Sequence, residues 1–235
     1  MILRLATRQG WISYRLLGLI LAPVLVAAVA GGAESGGVLA RGLAWQFLAV
    51  GLGVSTLLTA VVEAAGLAGD RERGMLGWLA VRAVPRPTIL TAWFVVPLAA
   101  SVAGTASALA VARMTLEPAL IGSLDDAAYL ATTAAVLAAG VAAASLGLVM
   151  GVLMSRFQAG LMTVFALMLT SAAVVAASVL LGPGTGVPGA GFWLLAQATV
   201  VSDPLPTALL STGLSLGVAA ALWVVSAAAF SRRSL

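Results

Sequence analysis

The densest group of charged side chains in this sequence lies between residues 70 and 86. Asp70 and Glu72 come first, where carboxylates stabilise the N-terminus of a helix. Arg82 and Arg86 come last, where cations stabilise the C-terminus. At the spacing i, i+3, i+4 and i+7, one helix face carries Met75, Trp78, Leu79 and Arg82. The pattern predicts a short amphipathic helix that lies along a membrane surface and binds a soluble partner.

A second candidate for chemistry is Glu63, which is flanked by Val61, Val62, Ala64 and Ala65. Placing a carboxylate within an apolar span costs free energy, so such a residue by default indicates a functional site. Glu63 nevertheless lies only seven residues before the charged segment, where it could pair with an arginine. Three roles stay open: a structural ion pair, a gating group, or a contact for a proton or a substrate.

Several kinds of chemistry are excluded by residue types that the sequence lacks. It has no Cys, no His and no Lys, so all twelve basic residues are Arg. Disulfides, Cys/His zinc sites, an axial haem His and a Ser-His-Asp triad are therefore impossible. A phosphate-binding loop and a Schiff-base lysine are impossible as well. We expect no catalytic residue, no metal site and no bound cofactor in this chain.

The elements that position these residues are predicted by the composition. The chain has 235 residues, 62% hydrophobic and 9% charged, whereas soluble chains average about 25% charged. This predicts an all-α polytopic membrane protein with a single transmembrane domain over 1–235. Gly147 and Gly151 are spaced to let helices approach closely, more within the chain than between copies. Six apolar segments of spanning length are predicted at approximately 14–31, 43–67, 88–112, 127–154, 159–181 and 207–230.

The arginines predict the orientation of these spans. Ten of the twelve fall on one side of the membrane, which leaves Arg41 and Arg113 on the other. By the positive-inside rule, both termini and the 68–87 loop are cytoplasmic, and the protein is a multi-pass component of the cytoplasmic membrane. We interpret the net charge of +4 as a topology signal, so no nucleic-acid partner is expected.

Two shorter elements flank the spans. Trp11 and Tyr14 follow basic residues in the pattern of an N-terminal helix lying at the membrane interface. Before the sixth span, a Gly/Pro-rich stretch precedes ten apolar residues that begin with Phe192 and Trp193. Ten residues are too few to span, so a short re-entrant or interfacial helix on the external side is expected, with an ordinary loop as the alternative.

The segment Glu72–Arg86 resembles the cytoplasmic loop of ABC-2 type permeases, the membrane subunits of ATP-binding cassette exporters. Members read approximately E-R-G-T-L-x-x-L-L-x-R-P-V-S-R, and the segment aligns with this pattern without a gap. Met75, Ala83 and Pro85 stand where the family usually has Thr, Pro and Ser. The matching positions are Glu72, Gly74, Leu76, Leu79, Arg82, Val84 and Arg86.

The resemblance implies a layout and a set of partners. The family has an N-terminal interfacial helix, six spans, a coupling helix between spans two and three, and a short external helix before span six. It implies two ATPase subunits, which would hold ATP and Mg, and a second permease chain, identical or related. The residues that would couple this chain to the ATPase are Glu72, Arg73, Gly74, Leu76, Trp78, Leu79, Arg82 and Arg86.

The resemblance also implies export, and the apolar interior suits a hydrophobic or amphipathic substrate such as a drug, a peptide antibiotic or a lipid. Two alternatives stay open. One is a haem-exporter-B-like component of cofactor export or assembly, which would have additional membrane partners. The other is an ion-coupled secondary transporter that uses Glu63 and needs no ATPase.

Overall fold

The computed structural model describes residues 11–74, 85–116, 125–181, 186–197, 201 and 203–232. Within these ranges the chain is helical and contains no strand. Seven helices follow one another along the described chain: α1 Trp11–Ser35, α2 Arg41–Glu72, α3 Arg86–Leu116, α4 Asp126–Leu153, α5 Arg156–Leu181, α6 Gly191–Ala196 and α7 Leu205–Arg232.

All of these helices except α6 are long and apolar enough to cross a membrane. Each predicted span coincides with one of them, so the prediction of six spans is confirmed, and the chain has the character of a multi-pass membrane protein. The helices generally extend a few residues past the apolar runs, because polar residues at their ends continue the backbone hydrogen bonding. The interfacial N-terminal helix was predicted from Trp11 and Tyr14 and the basic residues before them, and residues 1–10 lie outside the described residues. From Trp11 onward the chain already belongs to α1.

The centre of the bundle is formed by α2 and α4. α2 packs against α1, α3, α4, α5 and α6, while α4 makes its most extensive contact with α7. Small residues allow α2 and α4 to approach closely. A Cβ added at Gly151 would lie 2.8 Å from the carbonyl oxygen of Ala64, and one at Gly147 would overlap that of Ala60. The glycine pair therefore serves packing within the chain, as the sequence predicted.

The ends of the bundle differ in charge. At one end, α3 begins beside the end of α7, and α2 ends beside the turn from α4 to α5. We call this the basic end, and its described charged side chains are Arg71, Arg73, Arg86, Arg156 and Arg232 with Asp70 and Glu72. We call the opposite end the acidic end, and its described charged side chains are Glu34, Asp125, Asp126 and Asp203 with Arg113.

The acidic end is ordered by caps and by one ion pair. The Asp125 side chain accepts a hydrogen bond from the backbone N–H of Ala127 at 3.0 Å, which confirms it as the N-cap of α4. Arg113 pairs with Asp126 and lies 4.8 Å from the ring centre of Tyr129. The arginine thus sits between a carboxylate and an aromatic face, which joins the end of α3 to the start of α4.

Candidate functional site

The charged segment does not begin a new helix at Asp70, as the sequence suggested, because α2 continues through Glu72. It stops where Gly74 adopts a positive φ of 71°, a conformation that suits glycine after the last helical residue. The N–H of Arg73 donates to Gly69 O at 3.1 Å, and the N–H of Gly74 donates to Arg71 O at 3.0 Å. The two carboxylates therefore lie at the unfavourable, partly negative end of a helix.

Residues 75–84 lie outside the described residues, and the predicted coupling residues Leu76, Trp78, Leu79 and Arg82 fall among them. The structure therefore describes only the two ends of the segment. These are Asp70–Gly74 at the end of α2, and Arg86 at the start of α3.

Arg71 binds the C-terminus of α4. Its guanidinium donates to the carbonyl oxygen of Gly151 at 3.2 Å, and also to those of Val152 and Met154. The last carbonyls of a helix have no partner within the helix and carry a partial negative charge. A guanidinium, with five donors in a planar array, suits several such acceptors at once.

Glu72, the next residue, binds the N-terminus of α5. Its Oε1 accepts a hydrogen bond from the backbone N–H of Arg156 at 2.7 Å. A carboxylate at this position satisfies one of the first free N–H groups and complements their partial positive charge. α4 and α5 are separated only by Met154 and Ser155, so two adjacent side chains of α2 satisfy two oppositely charged helix ends.

Asp70 and Arg73 form an ion pair within the last turn of α2. The Asp70 side chain is 2% exposed, whereas that of Arg73 is 57% exposed. The second carboxylate oxygen of Asp70 is buried and has no hydrogen-bond partner among the described residues. Arg73 therefore compensates a buried carboxylate and keeps part of its guanidinium at the surface of the basic end.

Arg86 joins the start of α3 to the end of α7. Its Nη1 donates to the carbonyl oxygen of Ser231 at 2.6 Å. Pro87 is the second residue of α3, a position in the first turn where proline costs no helical hydrogen bond. The segment 75–84 thus leaves from α2 and returns to α3 at points that are bound to α4, α5 and α7.

Glu63 lies in the interior of the bundle. It is 3% exposed, and neither carboxylate oxygen has a hydrogen-bond partner among the described residues. Among the described residues, therefore, the structure shows no ion pair between Glu63 and an arginine. The arginine that continues α2 towards the basic end, Arg71, is bound to the carbonyls of α4 instead.

The element expected before the sixth span is a helix, α6, and is shorter than predicted. Leu194 and Leu195 are buried, and a Cβ added at Gly191 would overlap the backbone of Ala135 in α4. Phe192 packs against the large apolar cluster between α1, α2, α3 and α4, while the indole Nε1 of Trp193 is buried without a hydrogen-bond partner among the described residues. α6 is therefore embedded near the acidic end rather than lying on its surface.

Sequence reasoning identified the charged segment but missed the residues to which it binds. Arg156 and Ser231 take part through their backbone atoms, which carry no signal in side-chain type. Arg71 was counted only as a topology signal. No group of three or more His, Cys, Asp or Glu side chains that could bind a metal ion occurs in the part of the chain that the structure describes.

The chain matches no protein-family model, no curated protein and no solved structure. Its function is therefore argued from the site itself.

Proposed function

We propose that this chain is the membrane-spanning permease subunit of an ABC-2 type transporter that exports a hydrophobic or amphipathic substrate. A separate ATPase subunit would supply the hydrolysis, since the sequence has no lysine for a phosphate-binding loop. The positive-inside rule orients the basic end towards the cytoplasm, where the ATPase would bind. The six long apolar helices and the resemblance of Glu72–Arg86 to the coupling loop support this proposal.

The observation that carries the proposal is how the segment 75–84 is attached. At its start, Arg71 and Glu72 bind the turn between α4 and α5. At its end, Arg86 binds the last turn of α7. A displacement of this segment would therefore act on five long helices at once. An ATPase would change the conformation of the permease only through contacts that differ between its two states.

The exposed faces of α2 and α5 support a second permease copy as partner. Only three residues of α5 are buried in the single chain: Ala159, Thr163 and Ser178. The neighbouring helix α2 exposes large apolar side chains at a spacing close to two turns per seven residues: Leu43, Phe47, Val50, Val54 and Leu58. We propose that these two helices meet their counterparts in the second copy, and that the substrate passes between the copies.

Co-purification from the native membrane tests the proposal. A soluble ATPase should accompany the wild-type chain in roughly equal amount. The double variant Trp78→Ala, Leu79→Ala should stay inserted and lose the ATPase, because the apolar face of the predicted coupling helix is removed. A matched control removes two exposed apolar side chains near the acidic end, Val38→Ala and Met114→Ala, and should keep the ATPase. Equal recovery of the ATPase with both double variants would refute the role of the segment.

One observation favours a second candidate, an ion-coupled secondary transporter: the carboxyl of Glu63 is buried and has no hydrogen-bond partner among the described residues. This candidate predicts that the chain alone, in liposomes without any ATPase, moves a substrate when an ion gradient is imposed. The haem-exporter-B-like alternative predicts further membrane proteins in the purified complex.

A further inference from the structure

Glu63 lies on one buried face of α2 between two layers of ordinary packing. Thr59, one turn earlier, donates a hydrogen bond to Ser101 of α3 at 3.2 Å. Leu67, one turn later, belongs to a buried cluster with Leu90 and Phe94 of α3 and with Leu148 and Val152 of α4. The carboxyl therefore faces the interior of the bundle at the level between these two contacts.

The backbone beside Glu63 is held against α4. Ala60 lies three residues before Glu63, and Ala64 lies directly after it. Gly147 of α4 contacts the backbone of Ala60, and Gly151 contacts that of Ala64. At Gly147 and Gly151, α4 presents no side chain to α2, so the two backbones are in close contact there. In this packed arrangement the carboxyl is closed off from solvent, since Glu63 is only 3% exposed.

Among the described side chains, no opposite charge pairs with Glu63. On α2 itself, Asp70 is seven residues away, about 10 Å along the helix, and Arg71 is bound to α4. Within the described residues, the other charged and titratable side chains of the elements packed on α2 or α4 lie near the ends of those elements: Glu34, Glu72, Arg73, Arg86, Arg113, Asp126, Tyr129, Arg156 and Arg232.

We infer that Glu63 is a proton-binding site: its carboxyl holds a proton while α2 is packed against α3 and α4, and releases that proton when the helices separate. A charged carboxylate without a partner is strongly disfavoured in an apolar interior, whereas the neutral acid is tolerated far better. A metal ion would need further oxygen ligands, and the described residues offer no acidic group to supply them. A proton needs no second ligand, so it is the cation that best suits a single buried carboxyl.

The inference predicts a link between pH and packing. At low pH the neutral acid is compatible with the packed arrangement. As pH rises, the charged form gains by reaching water, so the packed arrangement is progressively lost. This holds whether or not an ATPase binds the chain. It therefore goes beyond the proposed function and does not rest on it.

The first experiment detects the proton directly. A lipid-soluble carbodiimide reacts with protonated carboxyls in apolar surroundings, while a water-soluble carbodiimide reacts with exposed ones. With the purified chain in lipid nanodiscs at about pH 7, where an exposed carboxyl is charged, the lipid-soluble reagent should add once. Peptide mass spectrometry should place the adduct on Glu63. Glu63→Gln should abolish this adduct, and the water-soluble reagent should not produce it.

The second experiment measures the link to packing. Because the chain has no cysteine, the pair Thr59→Cys and Ser101→Cys introduces the only thiols, at positions whose hydroxyl oxygens are 3.2 Å apart. Oxidative cross-linking of α2 to α3 is followed from about pH 5 to about pH 9. The same pair in a Glu63→Gln background is the control, because it has the same thiols and no titrating carboxyl.

The cross-linked fraction, divided by that of the control, should fall several-fold as pH rises. A ratio that stays constant over this range would overturn the link between protonation and packing. Absence of the Glu63 adduct at about pH 7 would overturn the proton-binding site itself. Neither result depends on the ATPase, whose co-purification should be unchanged by Glu63→Gln if the proposed function is correct.

Discussion

The binding of Arg71 to the end of α4 makes a prediction whose size follows from the contacts. In Arg71→Gln, the guanidinium that donates to three carbonyl oxygens is replaced by an amide with one NH₂ group. Hydrogen bonds to charged groups contribute about 1.5–3 kcal/mol each, and they are not additive here because Arg71 is half-buried and water can reach part of the site. The favourable interaction with the helix end adds about 0.3–1 kcal/mol.

We therefore expect Arg71→Gln to lower the free energy of unfolding by about 2–4 kcal/mol. For a chain of this size, 1 kcal/mol corresponds to about 2–4 °C in Tm, so Tm should fall by roughly 4–16 °C. The assay is thermal unfolding of the purified protein in detergent, followed by the fluorescence of its six tryptophans. Arg71→Lys should give an intermediate loss, because an ammonium keeps the charge and lacks the planar array of donors.

The matched control is Arg232→Gln, which removes the same charge from the same end of the bundle at an exposed position. Exposed charges contribute about 0–1 kcal/mol, so its Tm should stay within about 4 °C of the wild type. If Arg71→Gln and Arg232→Gln shift Tm equally, the contact with α4 does not stabilise the protein and the reasoning is refuted.

Two further predictions concern the same helices. Glu72→Ala removes the cap on the N–H of Arg156 and should cost about 1 kcal/mol, seen as a fall in Tm of about 2–4 °C; no change would show that water replaces the carboxylate without loss. Gly147→Ala introduces a Cβ that overlaps the carbonyl of Ala60, so α2 and α4 must separate, with a loss of about 1–3 kcal/mol. Gly213→Ala in α7, where nothing lies within 4 Å, is its control and should leave Tm unchanged or slightly raised. Size-exclusion recovery after heating measures both glycine variants, and equal recovery would contradict the close contact.

The sequence predicted the six long helices because the requirement of a span is local. About 20 consecutive apolar residues are needed, and the composition supplies them without reference to any other part of the chain. The N-cap that Asp125 provides to α4 and the stop of α2 before Gly74 are local features too, although the predicted helix passed through Gly74. Each acts within one turn of its own helix end.

The contacts of the charged segment could not be predicted from the sequence in this way. The carboxylates of Asp70 and Glu72 predicted the start of a helix, because acidic side chains favour helix N-termini. In the fold, Glu72 does cap a helix N-terminus, but that helix is α5, 84 residues further along the chain. The local pattern contained the correct electrostatic preference and no information about which helix end would be nearby.

For Glu63, too, the sequence predicted one part of the result and the fold decided the other. Its position inside an apolar span was evident from its neighbours, and so was the expectation that it matters. Whether an arginine compensates it depends on where arginine side chains point after the helices pack, and Arg71 points to α4. The sequence by itself determined that this is a helical membrane protein with a charged segment after its second span. Only the tertiary structure decided which helix ends that segment binds, and that the buried carboxyl has no hydrogen-bond partner among the residues that the structure describes. Contacts between distant helices arise from packing geometry rather than from local preference.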